Sequence, residues 1–197
     1  MKKIEIDFDG YVFTNEEDID SDIFQRFYEK HNGILVEDES WYNPELTWFK
    51  EILESFGFDV EDIRFSGFRN QGDGLSFKGI WNKSDMDNFK EFKNVVGANS
   101  QLLEYYDKFK NACIDTVYIA YDGSRYPHSG TMISLNSVES DSVAECVQEV
   151  VETARELADE FYNILEESYD QLTSKEEILR WAINNNITIS ENGNMVI

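Results

Sequence analysis

The sequence predicts an α+β fold, in which an antiparallel sheet of four or more strands packs against a long acidic amphipathic helix. Two observations predict it. Short segments of alternating apolar residues are separated by glycine-containing turns, which is typical of antiparallel hairpins. Towards the C-terminus, apolar residues recur every three or four positions over residues 143–168, which is typical of one continuous helix.

The N-terminal part of the chain combines a strand with two helices. Residues 3–13 alternate apolar and acidic side chains and predict one half-buried strand. Residues 20–22 predict the cap of a helix that continues to about His31. Pro44 predicts the start of a second helix, and Gly57 predicts its end.

The middle of the chain predicts two strand pairs with two helices between them. The loop at 67–74 is rich in glycine and predicts a hairpin turn, because glycine adopts positive φ without steric cost. In chain order, the predicted segments are strands at 60–68 and 75–81, helices at 84–94 and 100–112, and strands at 114–122 and 130–137.

The long helix has the most regular pattern in the sequence. Its apolar stripe steps by three or four residues through Val143, Val147, Val150, Ala154, Leu157, Phe161, Ile164 and Ser168. A short helix capped by Thr173-Ser174 follows and runs to Asn184. The chain then ends in a predicted hairpin that turns at Asn192-Gly193.

Negative charge is concentrated in two segments. The chain has 40 Asp and Glu against 17 Lys and Arg, a formal net charge of −23. Residues 139–170 contain Arg155 as their single base, and residues 5–22 contain none. Solubility requires a net charge of only about 2–8. Such a field repels nucleic acid and anionic membranes, and it attracts basic clefts.

Composition predicts a single cytoplasmic domain over residues 1–197. The N-terminus lacks the apolar core of a signal peptide, and no apolar run approaches the ~18 residues of a membrane span. Cys113 and Cys146 are isolated in the sequence, so we interpret them as buried, reduced thiols.

The acidic face of the long helix has two interpretations. An amphipathic helix ordinarily has a solvated polar face, but here Lys and Arg do not alternate with the acids to form i,i+4 pairs. The acids are spaced at about one per 4–5 Å, close to the ~3.4 Å phosphate spacing of one DNA strand. This spacing favours imitation of a phosphate backbone. A second acidic strip or a homodimer would be needed to approach a duplex. The predicted partner-binding residues are Asp141, Glu145, Glu149, Glu152, Glu156, Asp159, Glu160, Glu166 and Glu167 on the helix, and Glu16, Glu17, Asp18, Asp20 and Asp22 near the N-terminus.

Catalytic alternatives find little support in the sequence. Asp7 and Asp9 in an Asp-x-Asp-Gly motif resemble the opening motif of haloacid-dehalogenase-type phosphatases, but the parallel βαβ alternation of those enzymes is missing. Asp122, Ser124 or Ser129, and His128 can be arranged as a triad, but no nucleophile elbow supports it. We therefore predict no catalytic residue, no metal site and no cofactor.

Three stretches resemble a family of small phage and prophage proteins. They are FSGFRNQGDGLSF at 65–77, YPHSGTM at 126–132 and ESYDQLTS at 167–174. Asn70 stands where that family's hairpin motif has Ser. Members are sometimes labelled antitoxin-like, and the family has no established activity. The resemblance covers about residues 60–197 and implies a phage setting and an α+β fold. Within the single domain it implies a family-like α+β core at 58–197, preceded by a less familiar N-terminal part at 1–57 with a strand and helices.

These observations together predict a phage anti-defence protein that is not an enzyme. It would be an acidic nucleic-acid mimic that binds the basic DNA or RNA channel of a host CRISPR effector or restriction enzyme. Trp41, Tyr42, Trp48 and Trp81 are candidate apolar anchors, although such residues more often belong to the core. The alternative is an antitoxin-like or regulatory binder of a single basic protein.

Overall fold

The computed structural model describes residues 1–5, 9–97, 99–137 and 140–196. They form two compact units. Unit 1 combines Met1–Tyr42 with Glu167–Ile197, and unit 2 is Asn43–Glu166. These boundaries differ from the division at residue 57 drawn from the sequence, and the single domain stays a prediction. The predicted α+β class is confirmed.

Eight strands and six α-helices are present in the described residues. The strands are β1 (Lys2–Glu5), β2 (Asp9–Val12), β3 (Phe58–Phe65), β4 (Leu75–Asn82), β5 (Thr116–Tyr121), β6 (Met132–Ser134), β7 (Thr188–Ser190) and β8 (Met195–Val196). The helices are α1 (Asp22–His31), α2 (Asn43–Ser55), α3 (Phe89–Val96), α4 (Ser100–Asn111), α5 (Asp141–Leu172) and α6 (Lys175–Asn184).

The sheet of unit 2 has the strand order β3-β4-β5-β6, and every pairing is antiparallel. The two predicted strand pairs are confirmed, although β5 and β6 are shorter than expected. The helix predicted at 84–94 begins later, at Phe89. The Asn88 side chain accepts hydrogen bonds from the backbone N–H groups of Lys90 and Glu91, and this N-cap fixes the start of the helix.

The core of unit 2 is built on aromatic side chains. Trp81 is fully buried, and its indole N–H donates to the Phe56 carbonyl at 2.9 Å. Phe161 of α5 stacks on Phe49 of α2, with ring centroids 4.2 Å apart. At Gly57, which has φ +91°, a β-carbon would lie 2.4 Å from the Asn82 carbonyl oxygen. Only glycine therefore permits the tight turn between α2 and β3.

The sheet of unit 1 brings the two ends of the chain together in the order β1-β2-β7-β8. The prediction of one strand over 3–13 is wrong, because β1 and β2 form an antiparallel hairpin in which Lys2 is paired with Val12. The predicted C-terminal hairpin is confirmed, and β7 pairs with β2. Alternation alone cannot distinguish one strand from two that fold back on each other. The core of this unit contains Phe13, Phe24, Phe27, Ile178, Leu179, Ala182 and Ile189.

Candidate functional site

The helix α5 separates most of its apolar and acidic residues as the sequence predicted. Val147, Val150, Leu157 and Phe161 are buried, and Ile164 is half-buried. Val143 remains 39% exposed and lies outside the core. The buried stripe fixes which way the helix faces. The opposite face therefore remains in solvent, and the α5 acids lie on it.

Most of the predicted α5 acids are exposed. Those exposed are Asp141, Glu145, Glu149, Glu152, Glu156, Asp159 and Glu167, while Glu160 and Glu166 are half-buried. The six acids from Glu145 to Glu160 span about 22 Å of helix, at a rise of ~1.5 Å per residue. This gives one carboxylate per ~4 Å, slightly wider than the ~3.4 Å phosphate spacing of one DNA strand.

A groove of 400 Å³ runs between α4 and α5, and we refer to it as the acidic groove. Glu149, Glu152 and Glu156 line it from α5, and Glu104 and Asp107 line it from α4. Phe109, Ala112 and Val150 give it an apolar floor. Two rows of carboxylates on neighbouring helices thus face one space.

Glu104 and Asp107 are the functional candidates that sequence reasoning missed. They lie three residues apart on the exposed face of α4, opposite the buried Leu102, Tyr105 and Phe109. This spacing indicates a polar face. It does not reveal that the face lies beside α5, because that placement depends on packing between segments about 45 residues apart.

One lysine lies among the described residues that line the acidic groove. The Lys108 ammonium is 2.6 Å from a carboxylate oxygen of Glu156 and 3.9 Å from one of Glu104. The hydrogen bond to Glu156 raises the pKa of Lys108, so this side chain stays charged at neutral pH. Lys108 neutralises part of one end of the groove and leaves Glu149 and Glu152 unpaired by it.

The two cysteines border the same region. Cys113 and Cys146 form a disulfide, and Cys113 is exposed, so the prediction of buried, reduced thiols is wrong. Their sequence separation of 33 concealed the pairing, which depends on the first turns of α5 lying beside the end of α4. The disulfide and Glu145, Glu149 and Glu152 line one open surface, so it holds the N-terminal part of the acidic face in place.

The acids near the N-terminus are divided between surface and interior. Glu16, Glu17, Asp20 and Asp22 are exposed, whereas Asp18 is only 6% exposed. The Asp18 carboxylate accepts hydrogen bonds from the N-terminal ammonium at 2.6 Å and from the backbone N–H of Thr14 at 2.8 Å. Burial by itself would raise the pKa of Asp18, but these hydrogen bonds outweigh it and lower that pKa. Asp18 thus anchors its own segment instead of presenting charge to a partner.

Two of the three resemblance motifs, at 65–77 and 126–132, contain loops that lie together at one end of the sheet of unit 2. A β-carbon on Gly74 would lie 2.6 Å from the β-carbon of His128. Tyr162 of α5 donates a hydrogen bond to the Gly67 carbonyl at 2.9 Å, and its ring stacks on Phe68. Burial, together with the charges of Asp73 and Glu166, raises the pKa of Tyr162 to about 12. This tyrosine remains a neutral hydrogen-bond donor.

Among the candidate catalytic residues, Asp122 has a structural role. The Asp122 carboxylate accepts a hydrogen bond from the backbone N–H of Ser124 at 2.7 Å, which closes a tight turn. Asp7 lies outside the described residues, and the phosphatase alternative stays a prediction. Within the described residues, no group of three or more His, Cys, Asp and Glu is placed to hold a metal ion.

The aromatic anchor candidates differ in burial. Trp81 is a core residue and is closed to a partner. Trp41, Tyr42 and Trp48 are half-buried, and Trp48 packs near Phe161 with ring centroids 6.4 Å apart.

No helix in the described part of the chain is both long and apolar enough to cross a membrane.

Comparison with known proteins finds a family whose model covers the residues that line the acidic groove. A family model described as "Domain of unknown function (DUF8835)" matches residues 41–175, which is more than half of the chain. The match contains the acidic groove and all of α5, and it leaves out residues 16–22. No curated protein and no solved structure matches the chain.

Proposed function

This chain belongs to the DUF8835 family, and we propose that it is a phage anti-defence protein that inhibits a nucleic-acid-binding host protein. It binds the Lys- and Arg-lined DNA or RNA channel of a CRISPR effector or restriction enzyme in place of the nucleic acid. The observation that carries the proposal is the acidic groove, where five carboxylates from α4 and α5 face one space.

The geometry of the acidic groove supports imitation of phosphates better than α5 does alone. One helix approximates a single strand, at about one charge per 4 Å. Glu104 and Asp107 add a second row of carboxylates beside the first. The charge density of the groove is therefore closer to that of a DNA duplex than the charge density of α5 alone. The exposed acids of residues 16–22 are a further contact in this proposal. The Lys and Arg side chains of a basic channel would pair with these carboxylates, and such complementarity of charge speeds association.

The phage setting is part of the proposal. It rests on the likeness of residues 65–77, 126–132 and 167–174 to small phage proteins. The cytoplasmic location predicted from the sequence is not favoured by the Cys113–Cys146 disulfide, because disulfides are rare in a reducing cytosol. A net charge of −23 supports a basic protein partner and opposes direct binding to nucleic acid or to a membrane.

Charge reversal tests the role of α5. The test variant changes Glu145, Glu149, Glu152 and Glu156 to Lys. The matched control changes four exposed acids elsewhere, Glu29, Glu37, Glu51 and Asp59, to Lys. A tagged protein is used to capture partners from host lysate at roughly physiological salt, with identification by mass spectrometry.

We expect the unmodified chain and the control to retain one dominant nuclease or guide-RNA complex, and the α5 variant to lose it by at least about tenfold. Circular dichroism must show that the variant remains helical. Equal capture by the α5 variant and the control would remove α5 from the mechanism. A third variant, with Glu16, Glu17, Asp20 and Asp22 changed to Lys, measures the contribution of the N-terminal acids separately.

An antitoxin-like or regulatory binder of a single basic protein is the second candidate. The apolar floor of the acidic groove, formed by Phe109, Ala112 and Val150, favours it. Imitation of phosphates requires no apolar surface, whereas recognition of one protein side chain benefits from it. Binding to a panel of unrelated nucleases distinguishes the two, because a nucleic-acid mimic inhibits several of them and a dedicated binder inhibits none.

A further inference from the structure

Unit 1 contains a second groove, distinct from the acidic groove of unit 2. It has a volume of 430 Å³ and lies between the 3-10 helix Glu16–Asp20 and α6. We refer to it as the α6 groove. Its lining residues all lie outside residues 41–175, the segment that the family model matches.

The floor of the α6 groove is apolar and belongs to the core of unit 1. Leu179 is only 2% exposed, and Ile19 and Ile183 pack against the same core. These side chains are fixed by their packing, so the floor is formed before any ligand arrives. An apolar side chain that enters the groove would bury surface without first rearranging the protein.

The rim of the α6 groove is acidic. Glu16 and Glu176 line it and are exposed. Arg180 also lines it, but its guanidinium forms an ion pair with the Glu177 carboxylate. The positive charge of Arg180 is therefore balanced within unit 1, and the carboxylates of Glu16 and Glu176 determine which ligands the rim attracts.

We infer that the α6 groove binds a protein segment in which one apolar side chain is flanked by lysine or arginine. The apolar side chain contacts Ile19, Leu179 and Ile183, and the basic side chains pair with Glu16 and Glu176. A nucleic acid does not fit this description, because it is anionic. A second copy of this chain is disfavoured by its net charge of −23.

This inference rests on the proposed function, since it concerns the same basic partner, and it specifies how that partner is told apart from others. Charge complementarity speeds encounter and rejects acidic proteins, but many basic proteins share it. A pocket for one apolar side chain supplies selection among them, because desolvated apolar anchors dominate interface energies.

Two synthetic peptides of equal length and equal positive charge test the inference. One alternates lysine with leucine, and the other carries serine in place of leucine. Each is titrated into the ¹⁵N-labelled full chain at roughly physiological salt, and backbone amide shifts give both the affinity and the location. We expect the lysine–leucine peptide to bind about tenfold more tightly and to shift the amides of Ile19, Leu179 and Ile183.

A blocking variant makes the test specific. Asn184→Trp places a large side chain on a residue that lines the groove, and Asn94→Trp on α3 is the matched control. We expect Asn184→Trp to reduce the affinity of the lysine–leucine peptide to that of the lysine–serine peptide, and Asn94→Trp to leave it unchanged. Should Asn184→Trp fail to fold, Thr14→Trp blocks the groove from its exposed opposite side.

Equal affinities for the two peptides, or an affinity that Asn184→Trp leaves unchanged, would overturn the inference. Shifts confined to Glu149 and Glu152 would also overturn it, while leaving the proposed function intact. Failure of the proposed function would give a different result: the α5 charge-reversal variant would capture the host partner as well as the control does.

Discussion

The acids of α5 and the acids of residues 16–22 are equally conspicuous in the sequence, but they occupy different environments. On α5, an apolar stripe is buried in unit 2, and most of the acids therefore face solvent in one row. In residues 16–22, Asp18 points inward and accepts backbone hydrogen bonds, while its neighbours remain exposed. The number of acids thus locates negative charge, whereas helix spacing and capping decide which carboxylates a partner can reach.

The largest expected effect concerns the buried side of α5. Phe161→Ala removes a fully buried ring that stacks on Phe49, and such truncations cost about 4 kcal/mol in the free energy of unfolding. Urea denaturation followed by circular dichroism measures this loss. Val143→Ala on the same predicted stripe is the control, and because Val143 is exposed we expect a change within about 0.5 kcal/mol. Similar losses in both variants would contradict the assigned orientation of α5.

Loss of the Cys113–Cys146 disulfide, which joins the start of α5 to the end of α4, should lower the free energy of unfolding almost as much. Closing a loop between cysteines with a sequence separation of 33 stabilises a protein by about 3–4 kcal/mol in the chain-entropy model. Urea denaturation with and without a dithiol reductant should show this difference. The double variant Cys113→Ser/Cys146→Ser should have the stability of the reduced protein, and the reductant should not change it. Two alkylated thiols in the unreduced, purified protein would contradict the pairing.

Asp18 tests the opposite side of the comparison. Asp18→Ala leaves the backbone N–H of Thr14 without its carboxylate acceptor, at a cost of about 2 kcal/mol. Asp20→Ala, on an exposed neighbour, should change stability by less than about 0.5 kcal/mol. Chemical denaturation of both variants measures the contrast, and equal effects would show that Asp18 is no anchor.

The pH dependence of Asp18 follows from the lowered pKa. Because the folded-state pKa lies below the ordinary value of 3.8, the carboxylate contributes stability above pH 3.8, and this contribution is lost as the pH falls through the lowered pKa. Unfolding measured between about pH 5 and pH 2 should therefore be less pH-dependent in Asp18→Ala than in the unmodified chain. An unchanged pH profile would argue against the hydrogen bonds assigned to this carboxylate.

The smallest expected effect concerns repulsion along α5. Neutralising Glu145 and Glu149 to Gln removes like-charge neighbours at helical spacing and should raise stability by a few tenths of a kcal/mol. About 1 M salt should abolish the gain, because salt screens exposed charges. Glu16→Gln/Glu17→Gln is the matched pair near the N-terminus, where no regular α-helical spacing applies, and we expect a smaller gain. Precise thermal melts measure both.

The local elements could be predicted from the sequence because short-range rules determine them. Ser21 and Ser174 cap α1 and α6 as predicted, since their side chains accept hydrogen bonds from the N–H groups of Phe24 and Glu177. The apolar spacing of α5 correctly identified most of its buried face. Among the candidate site residues, the exposed acids followed from this spacing, but the burial of Asp18 did not, because a carboxylate and its backbone donors leave no periodic signal.

The sequence by itself determined that this chain has an α+β fold, a long helix with an acidic face, and a formal net charge of −23. These features depend on composition and on the periods of helix and strand, which are local. Only the tertiary structure decided that β2 pairs with β7, that Cys113 meets Cys146, and that Glu104 and Asp107 lie beside the acids of α5. Each of these requires two distant segments to meet, and such meetings are set by the packing of whole apolar faces instead of by any neighbouring residue.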